Sequence, residues 1–358
     1  MFLRNCWYVA ARDFEIGRTP FSRTLLNEPI VLYRRDDGTP IALEDRCCHR
    51  HLPLSHGKLE GNNLRCGYHG LLFSDEGACI EVPGQRHIPA GAVVRSFPLV
   101  EQWGWVWIWM GEPARADPKL LPDWSFAGHP GWRKSSNHLL ELACDYRLVS
   151  DNVLDVTHLA FVHAGSIGSP TILEFPAKTE VATRSVHLQR WILDRAAPPL
   201  YQSAGKFDGN VDRGQIVDWE PPCHAVNHAI CVDAGHGGID KGGFKMKPGA
   251  NTKKVHLCAL SAPTPETERT THYFFAFTRS FALDDAEIDK VFNEDMVVVF
   301  REDQAVLEAQ QRMMALKPDA PQINIQVDAA PVAARKMLSS MISTELARTA
   351  GGQPEERA

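Results

Sequence analysis

Two short motifs in the first third of the chain pair a cysteine with a histidine. The first is Cys47-x-His49, and Cys66-x-x-His69 follows it after sixteen residues. Two thiolates and two imidazoles can hold a [2Fe-2S] cluster in which histidines replace cysteines on one of the irons. The spacing suits two tight loops, each of which supplies one thiolate to one iron and one imidazole to the other. We therefore interpret the four side chains as ligands of such a mixed cluster.

A structural zinc ion is the alternative, because Zn²⁺ also accepts two cysteines and two histidines. Zinc motifs more often keep the cysteines together and the histidines together, whereas each pair is mixed here. The intervening segment RHLPLSHGKLEGNNLR carries glycine and asparagine turn signals in place of a finger helix. The pattern thus favours the mixed cluster, called the Rieske arrangement, whose reduction potential exceeds that of an all-cysteine plant-type cluster. Such a cluster can accept electrons from a ferredoxin-type donor and relay them.

Cys48 lies inside the first pair and introduces an ambiguity. Only Cys47 leaves the one-residue gap to His49, and in an extended segment the Cys48 side chain points away from its neighbours. We expect Cys48 to be either a buried thiol or a thiol that lies next to the cluster ligands.

A second group of candidate metal ligands lies in DNVLDVTHLAFVH, which contains Asn152, Asp155, His158 and His163. Residues 145–163 are predicted to be helical, so Asp155 and His158, three residues apart, would share a face. The two histidines lie about 140° apart on an ideal helix. They can reach one metal only if the helix bulges or ends near His163, so a distortion is predicted there. The alternative is an amphipathic helix whose histidines bind no metal.

Two histidines become a facial triad for non-haem Fe(II), with positions left open for O₂, when a carboxylate joins them. The segment 285–316 is predicted to form one long helix, and Asp303 falls on its apolar stripe. A carboxylate buried there is costly unless it is paired or bound to a metal. Asp303 is therefore a candidate ligand, although a buried salt bridge would also account for it. Glu302 lies about 100° around the helix and is expected to face water.

Composition excludes several classes of function. The chain has 358 residues, a formal charge of −6 and no block of lysine and arginine, so no nucleic-acid surface is predicted. The most apolar run, WGWVWIWM, is far shorter than the ~20 residues of a membrane helix. The first residues are interrupted by charges and lack the apolar core of a signal peptide. Nine scattered cysteines suit a reducing compartment, so a cytoplasmic protein is expected.

The elements that would position these residues predict an α+β protein of two domains. Short β-rich segments separated by turns fill residues 1–115, which we expect to form an antiparallel β domain. A proline-rich stretch follows, and residues 116–348 form the predicted second domain. It begins with the helix described above, continues mainly as strands from about 170 to 280, and ends in helices. The end of the chain, 349–358, is predicted to be a disordered tail.

The motifs together resemble the oxygenase component of Rieske non-haem iron oxygenases, in particular the branch of vanillate O-demethylase and toluenesulfonate methyl-monooxygenase. The resemblance covers nearly the whole chain and is carried by NCWYVA, DRCCHRHLPLSHGKLEGNNLRCGYHGL, EVPGQ, EPARADP, YRLVSDNVLDVTHLAFVHAGSIG, TPETE and FREDQAVLEAQ. The family pattern implies the following ligands: Cys47, His49, Cys66 and His69 for the cluster, and His158, His163 and Asp303 for the mononuclear iron.

The resemblance also implies an architecture and partners. A Rieske domain would be joined to a helix-grip catalytic domain, in which an antiparallel sheet packs on a long helix, and three chains would form a cyclic homotrimer. A separate NAD(P)H-dependent reductase with flavin and iron-sulfur centres would supply electrons. Asp155 would link His69 of one subunit to His158 of its neighbour.

The implied reaction is the hydroxylation by O₂ of a methyl group on a small aromatic acid. O-demethylation of a vanillate-like methoxy acid, which yields a phenol and formaldehyde, is the leading prediction. Hydroxylation of an aryl-methyl sulfonate or carboxylate and ring dihydroxylation are alternatives. A Rieske electron-transfer protein with a ligand-binding module is another, and the mononuclear ligand set counts against it.

Substrate contacts are predicted less specifically. Asn227 and His228, in PPCHAVNHAICV, fall on a predicted strand next to a turn and are candidates, although neighbouring backbone groups could satisfy them instead. Several arginines could bind the substrate anion. The chain also departs from the family pattern at Cys48 and Gly67, where proline is common, and at His51, where glycine is common.

Overall fold

The computed structural model describes residues 1–164, 167–237, 239–240, 243–244 and 254–350. The chain divides into two compact units. The first comprises Met1–Leu121 with Thr264–Glu268, and the second comprises Pro122–Pro263 with Arg269–Ala358. The division at residue 121 lies a few residues beyond the predicted boundary at 115, within the same proline-rich stretch.

The first unit consists of small antiparallel sheets, with strand orders β1-β10-β9, β2-β3-β4 and β5-β6-β7-β8. Its strands are β1 (Trp7–Arg12), β2 (Phe21–Leu25), β3 (Glu28–Arg34), β4 (Pro40–Glu44), β5 (Lys58–Glu60), β6 (Asn63–Arg65), β7 (Leu72–Phe73), β8 (Cys79–Glu81), β9 (Leu99–Gln102) and β10 (Trp105–Trp109). All five residues of β10 are buried, and the rings of Trp7 and Trp109 meet edge to face with centroids 5.4 Å apart. The tryptophan-rich strand β10 is therefore part of the core.

The second unit contains an eight-stranded sheet. Seven strands follow the order β11-β20-β19-β16-β15-β14-β13, and β12 also pairs with β20. The strands of this unit are β11 (Arg133–Lys134), β12 (His138–Leu142), β13 (Lys178–Val181), β14 (Val186–Arg195), β15 (Val211–Glu220), β16 (His224–Asp233), the short pair β17 (Ile239–Asp240) and β18 (Gly243–Phe244), β19 (Lys254–Pro265) and β20 (Thr271–Arg279). This sheet forms one wall of the candidate site.

Five α-helices accompany the strands of the second unit within the described residues: α1 (Tyr146–Leu154), α2 (Pro199–Gly205), α3 (Ala286–Lys290), α4 (Met296–Leu316) and α5 (Ala329–Ala350). The predicted helix over 285–316 is continuous except for a π-helical turn at Val291–Asp295. Phe292 in that turn and Met296 and Val299 of α4 pack with aromatic residues of β20 in one buried cluster. The long helix therefore covers the antiparallel sheet, as the helix-grip prediction requires.

The helix predicted for 145–163 is shorter than expected, because α1 ends at Leu154. A 3₁₀ turn at His158–Ala160 follows after an extended residue. The helix therefore ends nine residues before His163, ahead of both histidines, and not at the distortion predicted near His163. Of the predicted tail, residues 351–358 lie outside the described residues, whereas 349–350 belong to α5. No helix in the described part of the chain is both long and apolar enough to cross a membrane.

Candidate metal centres and active-site cavity

The two cysteine-histidine loops share one hydrogen-bond pattern. In each loop the cysteine N–H donates to the carbonyl five residues later, and the cysteine carbonyl accepts an N–H from four residues later. The distances are Cys47 N to Leu52 O 2.9 Å, His51 N to Cys47 O 3.0 Å, Cys66 N to Leu71 O 2.8 Å and Gly70 N to Cys66 O 3.2 Å. His51 and Gly70, at the same place in the two loops, have φ of 62° and 77°. This left-handed conformation favours glycine. It explains why glycine is common in the family at this position, where this chain has His51.

The cysteines of the two loops are buried and the histidines are exposed. Cys47 and Cys66 are 2% and 3% exposed, whereas the rings of His49 and His69 lie at the surface with centroids 4.5 Å apart. Burial and the neighbouring Cys66 raise the pKa of the Cys47 thiol to about 11. A bound metal would be needed to hold that sulfur as a thiolate. Cys48 is partly buried and packs against the same core.

This paired arrangement fits two irons better than one zinc ion. A tetrahedral ion would bring all four donor atoms within about 4 Å of one another, given metal bonds of about 2.0–2.3 Å. Among the described residues, the sets whose donor atoms converge within 4.8 Å do not include these four side chains. The thiols form one pair in the interior and the imidazoles another at the surface. A diiron cluster needs that separation, since its thiolates and imidazoles bind different irons.

His158, His163 and Asp303 form a convergent set in the second unit. Their donor atoms lie within 4.8 Å of one another. Asp303 Oδ1 is 3.1 Å from Nε2 of His163 and 3.4 Å from Nε2 of His158. Ligands at neighbouring positions of an ion, each about 2.1 Å from it, lie about 3 Å apart. The set therefore has the donor types and spacing of a two-histidine, one-carboxylate facial triad.

The other ring nitrogen of each histidine is held by an acceptor. Nδ1 of His163 contacts Glu302 Oε2 at 2.7 Å, and Nδ1 of His158 contacts the backbone carbonyl of Asp155. With a metal bound, Nδ1 of each ring would keep its proton and Nε2 would offer its lone pair to the metal, in place of a hydrogen bond to Asp303. Glu302 was expected to face water. Its side chain is 40% exposed, but one oxygen orients His163.

The two neighbouring histidines favour the ionised form of Asp303. Burial alone would raise the pKa of its carboxyl, but hydrogen bonds with His158 and His163 lower it to about 2. Asn152 Nδ2 also donates to its Oδ1 at 3.0 Å. The carboxylate thus offers an anionic ligand at neutral pH.

Asp155 ends helix α1 and shapes the turn that carries His158. Its φ and ψ of −100° and 90° are not helical, and its Oδ1 accepts the N–H of Thr157 at 2.8 Å. The expectation that Asp155 and His158 share a helix face is wrong, because the helix has already ended. Their contact runs instead through the Asp155 carbonyl. The carboxylate remains half-buried and lines a second cavity together with His158.

Arg190 supports the same turn from strand β14. It is 3% exposed and donates to Thr157 Oγ1 at 2.8 Å and to the Val156 carbonyl at 3.2 Å. No motif in the sequence marks this arginine, so sequence reasoning missed its positioning role.

A cavity opens over the convergent set. Helix α4, the turn after α1 and strands β15, β16, β19 and β20 line it, mostly with apolar side chains. Its polar wall includes Arg213, Gln215 and Asn227. Arg213 is 4% exposed, its guanidinium lies 5.8 Å from the Tyr201 ring, and it donates to the Ile167 carbonyl at 3.4 Å. No carboxylate among the described residues forms an ion pair with Arg213, so a buried cation faces the cavity.

The two predicted substrate contacts lie on opposite faces of the sheet. Asn227 lines the cavity, whereas His228, the next residue of β16, does not. Successive side chains of a strand point to opposite faces. His228 instead contacts His256 and Cys258 of β19.

The fold and the two centres define a class of protein, the oxygenase component of Rieske non-haem iron oxygenases. The Rieske [2Fe-2S] domain model matches residues 6–98, and the vanillate O-demethylase oxygenase C-terminal domain model matches residues 142–344. The chain belongs to this family, and its catalytic domain is of the vanillate O-demethylase type. Its cofactors are a Rieske [2Fe-2S] cluster and mononuclear non-haem iron.

Similar proteins span nearly the whole chain. A putative toluene-4-sulfonate monooxygenase system iron-sulfur subunit of Comamonas testosteroni is 40% identical over 98% of this chain and 100% of its own length. The vanillate O-demethylase oxygenase subunit of a Pseudomonas species is 35% identical over 96% of both chains. A crystal structure of dicamba monooxygenase with non-haem iron and dicamba aligns with a TM-score of 0.79 and 31% identity, covering 97% of this chain and 99% of the other.

Proposed function

We propose that this oxygenase hydroxylates a methyl group of a small aromatic acid, and that O-demethylation of a vanillate-like methoxy acid is its main reaction. The buried Arg213 carries the proposal, because it lines the same cavity as His158, His163 and Asp303. A buried cation without a carboxylate partner is costly, and a bound substrate anion would offset that cost. The guanidinium would bind the carboxylate, and Asn227 would add a polar contact.

The proposed ligands follow from the donor sets. Cys47, Cys66, His49 and His69 would hold the cluster. The mononuclear iron would be held by His158, His163 and Asp303, with Asn152 and Glu302 orienting them through the contacts described above. When bound, the cofactors supply electron transfer and O₂ activation.

The mostly apolar wall of the cavity would hold the aromatic ring and exclude water, while Arg213 fixes the direction of the acid group. A substrate held in this way presents its methyl group to the ligand set. Hydroxylation of an aryl methyl ether gives a hemiacetal, which collapses to a phenol and formaldehyde.

The proposal includes partners and an assembly. We infer a homotrimer in which Asp155 of one subunit links His69 of its neighbour to His158. A separate reductase with flavin and iron-sulfur centres would deliver electrons from NAD(P)H. The expected location is the cytoplasm, where such reductases find NAD(P)H.

A second candidate reaction is hydroxylation of an aryl-methyl sulfonate to the benzylic alcohol. The 40% identity to a toluene-4-sulfonate monooxygenase subunit favours it, and a guanidinium binds sulfonate as well as carboxylate. Ring dihydroxylation is the third outcome to be tested.

A substrate screen separates these reactions. The oxygenase, loaded with cluster and iron, would be combined with a surrogate reductase and offered methoxybenzoates, methylbenzenesulfonates and neutral methoxyarenes. Formaldehyde formed together with a phenol indicates O-demethylation, a benzylic alcohol indicates methyl hydroxylation, and a diol indicates dihydroxylation. Turnover of neutral arenes in preference to the acids would contradict the proposed substrate class.

Replacement of Arg213 by glutamine should weaken binding of the acid substrates selectively. Charge-assisted hydrogen bonds contribute about 1.5–3 kcal/mol, so KM for the acid should rise about ten- to hundredfold with a smaller change in kcat. KM for a neutral methoxyarene should change little, and Arg213→Lys should restore part of the affinity. The matched control is Arg195→Gln on the same sheet, because Arg195 pairs with Glu174 at 2.7 Å away from the cavity. Equal losses for acid and neutral substrates would contradict the anion-binding role.

A further inference from the structure

A second convergent set of metal-binding side chains lies on strands β16 and β19. His228 Nδ1 is 3.1 Å from His256 Nε2 and 3.0 Å from Cys258 Sγ, and the sulfur is 3.5 Å from His256 Nε2. The three donor atoms thus form a compact triangle. His228 and Cys258 are direct cross-strand partners, so the sheet itself fixes their distance.

The triangle is separate from the oxygenase cavity. Asn227 and Ala229 of β16 and Leu257 and Ala259 of β19 line that cavity, whereas the residues between them point to the other face of the sheet. The aromatic rings of Phe126 and Trp132, with centroids 6.3 Å and 4.8 Å from those of His228 and His256, lie beside it.

The set has the features of a built metal site. Cys258 is fully buried and His256 is 8% exposed, whereas the His228 side chain is 21% exposed and leaves a path for an ion from solvent. The other nitrogen of His228, Nε2, faces Asp218 Oδ2 at 3.4 Å. Metal-binding histidines commonly have their second nitrogen oriented by a carboxylate in this way. Asp218 is itself fixed by His187 Nδ1 at 2.7 Å.

The donor types indicate the kind of metal. One thiolate and two imidazoles suit zinc, and the same trigonal set suits copper. Magnesium and calcium prefer oxygen ligands, which this triangle does not offer. We propose that His228, His256 and Cys258 bind one soft or borderline cation, Zn²⁺ or Cu⁺, on the face of the sheet opposite to the oxygenase cavity.

Metal analysis of the full-length protein, already loaded with its cluster and mononuclear iron, tests this proposal. After incubation with Zn²⁺ and gel filtration, the wild-type protein should retain one zinc ion per chain. Zinc X-ray absorption should show one sulfur neighbour at about 2.3 Å and nitrogen neighbours at about 2.0–2.1 Å. The sulfur is decisive, because His158, His163 and Asp303 would give zinc no sulfur neighbour.

Variants on both strands keep the test independent of folding defects. Cys258→Ser and His228→Ala should lose the zinc, and Asp218→Asn should weaken its affinity about ten- to hundredfold. Cys231→Ser is the matched control, because Cys231 is another buried cysteine on β16 outside the triangle. The Tm of the wild type and of Cys231→Ser should rise with zinc, whereas that of Cys258→Ser should not.

An anaerobic titration with Cu⁺ forms the second arm. Tight binding of Cu⁺, without zinc retention and lost in Cys258→Ser, would support the site and assign it to copper. Retention of neither metal, a zinc shell without sulfur, or equal losses in Cys258→Ser and Cys231→Ser would overturn the proposal.

Discussion

Asp303→Ala is expected to release the mononuclear iron and reduce turnover to the level of the reductase alone, while the visible and EPR spectra of the Rieske cluster persist. Asp303 supplies the carboxylate that faces Nε2 of both His158 and His163. Without it, two neutral imidazoles remain, a weak site for Fe(II). Iron analysis should fall from three ions per chain to two.

Glu302→Gln is the control for this variant. Glu302 contacts Nδ1 of His163 on the side away from Asp303, so its loss should weaken iron binding by about ten- to hundredfold without abolishing it at saturating iron. Wild-type iron content in Asp303→Ala would exclude this carboxylate as a ligand. Loss of the cluster spectrum would show that the substitution unfolds the protein, and Asp303→Asn would then replace it.

Asp155→Asn is expected to abolish nearly all turnover with both metal centres intact. The Asp155 carbonyl that meets His158 Nδ1 is unchanged in this variant, and the amide oxygen can still accept the Thr157 N–H. Only the negative charge and one acceptor oxygen are lost. If the carboxylate links two subunits electronically, the cluster should still be reduced normally but should be reoxidised far more slowly when substrate and O₂ are added. Stopped-flow absorbance of the cluster measures both steps.

Asp151→Asn is the matched control for the bridging role. Asp151 lies one helical turn before Asp155 and lines the same second cavity, but its recorded partner is Arg335 at 3.4 Å. Burial raises the pKa of Asp151 to about 7, so this carboxyl is about half ionised at neutral pH. Normal cluster reoxidation in Asp155→Asn, or an equal defect in Asp151→Asn, would contradict the assignment.

Local spacing identified the candidate metal ligands from the sequence. The cysteine-histidine motifs lie in loops with matching hydrogen bonds, and the carboxylate on an apolar stripe lies beside both histidines. In each case the pattern of candidate ligands lies within one loop or on one face of one helix. The antiparallel sheet was predicted from the motif resemblance, and the long helix from the apolar stripe of residues 285–316.

Long-range contacts were not predictable in the same way. Arg213 is separated from Asp303 by 90 positions in the sequence, and nothing local distinguishes it from other arginines. Glu302 binds His163 although its position on the helix predicted solvent. Adjacent residues of a strand point to opposite faces, so only one of Asn227 and His228 can face the cavity.

Side chains of the central strands alternate between the two faces of the sheet. The residues of β15, β16 and β19 that line the cavity are all odd-numbered, among them Arg213, Asn227 and Leu257, whereas His228 and Cys258 lie on the opposite face. Selection can therefore change substrate preference at every second codon while the intervening codons stay fixed. A directed-evolution library restricted to the odd positions would explore new substrates without disturbing the reverse side of the sheet. A single-residue insertion in β16 would turn every later residue of the strand to the opposite face. It would therefore disrupt both the cavity and the triangle of His228, His256 and Cys258.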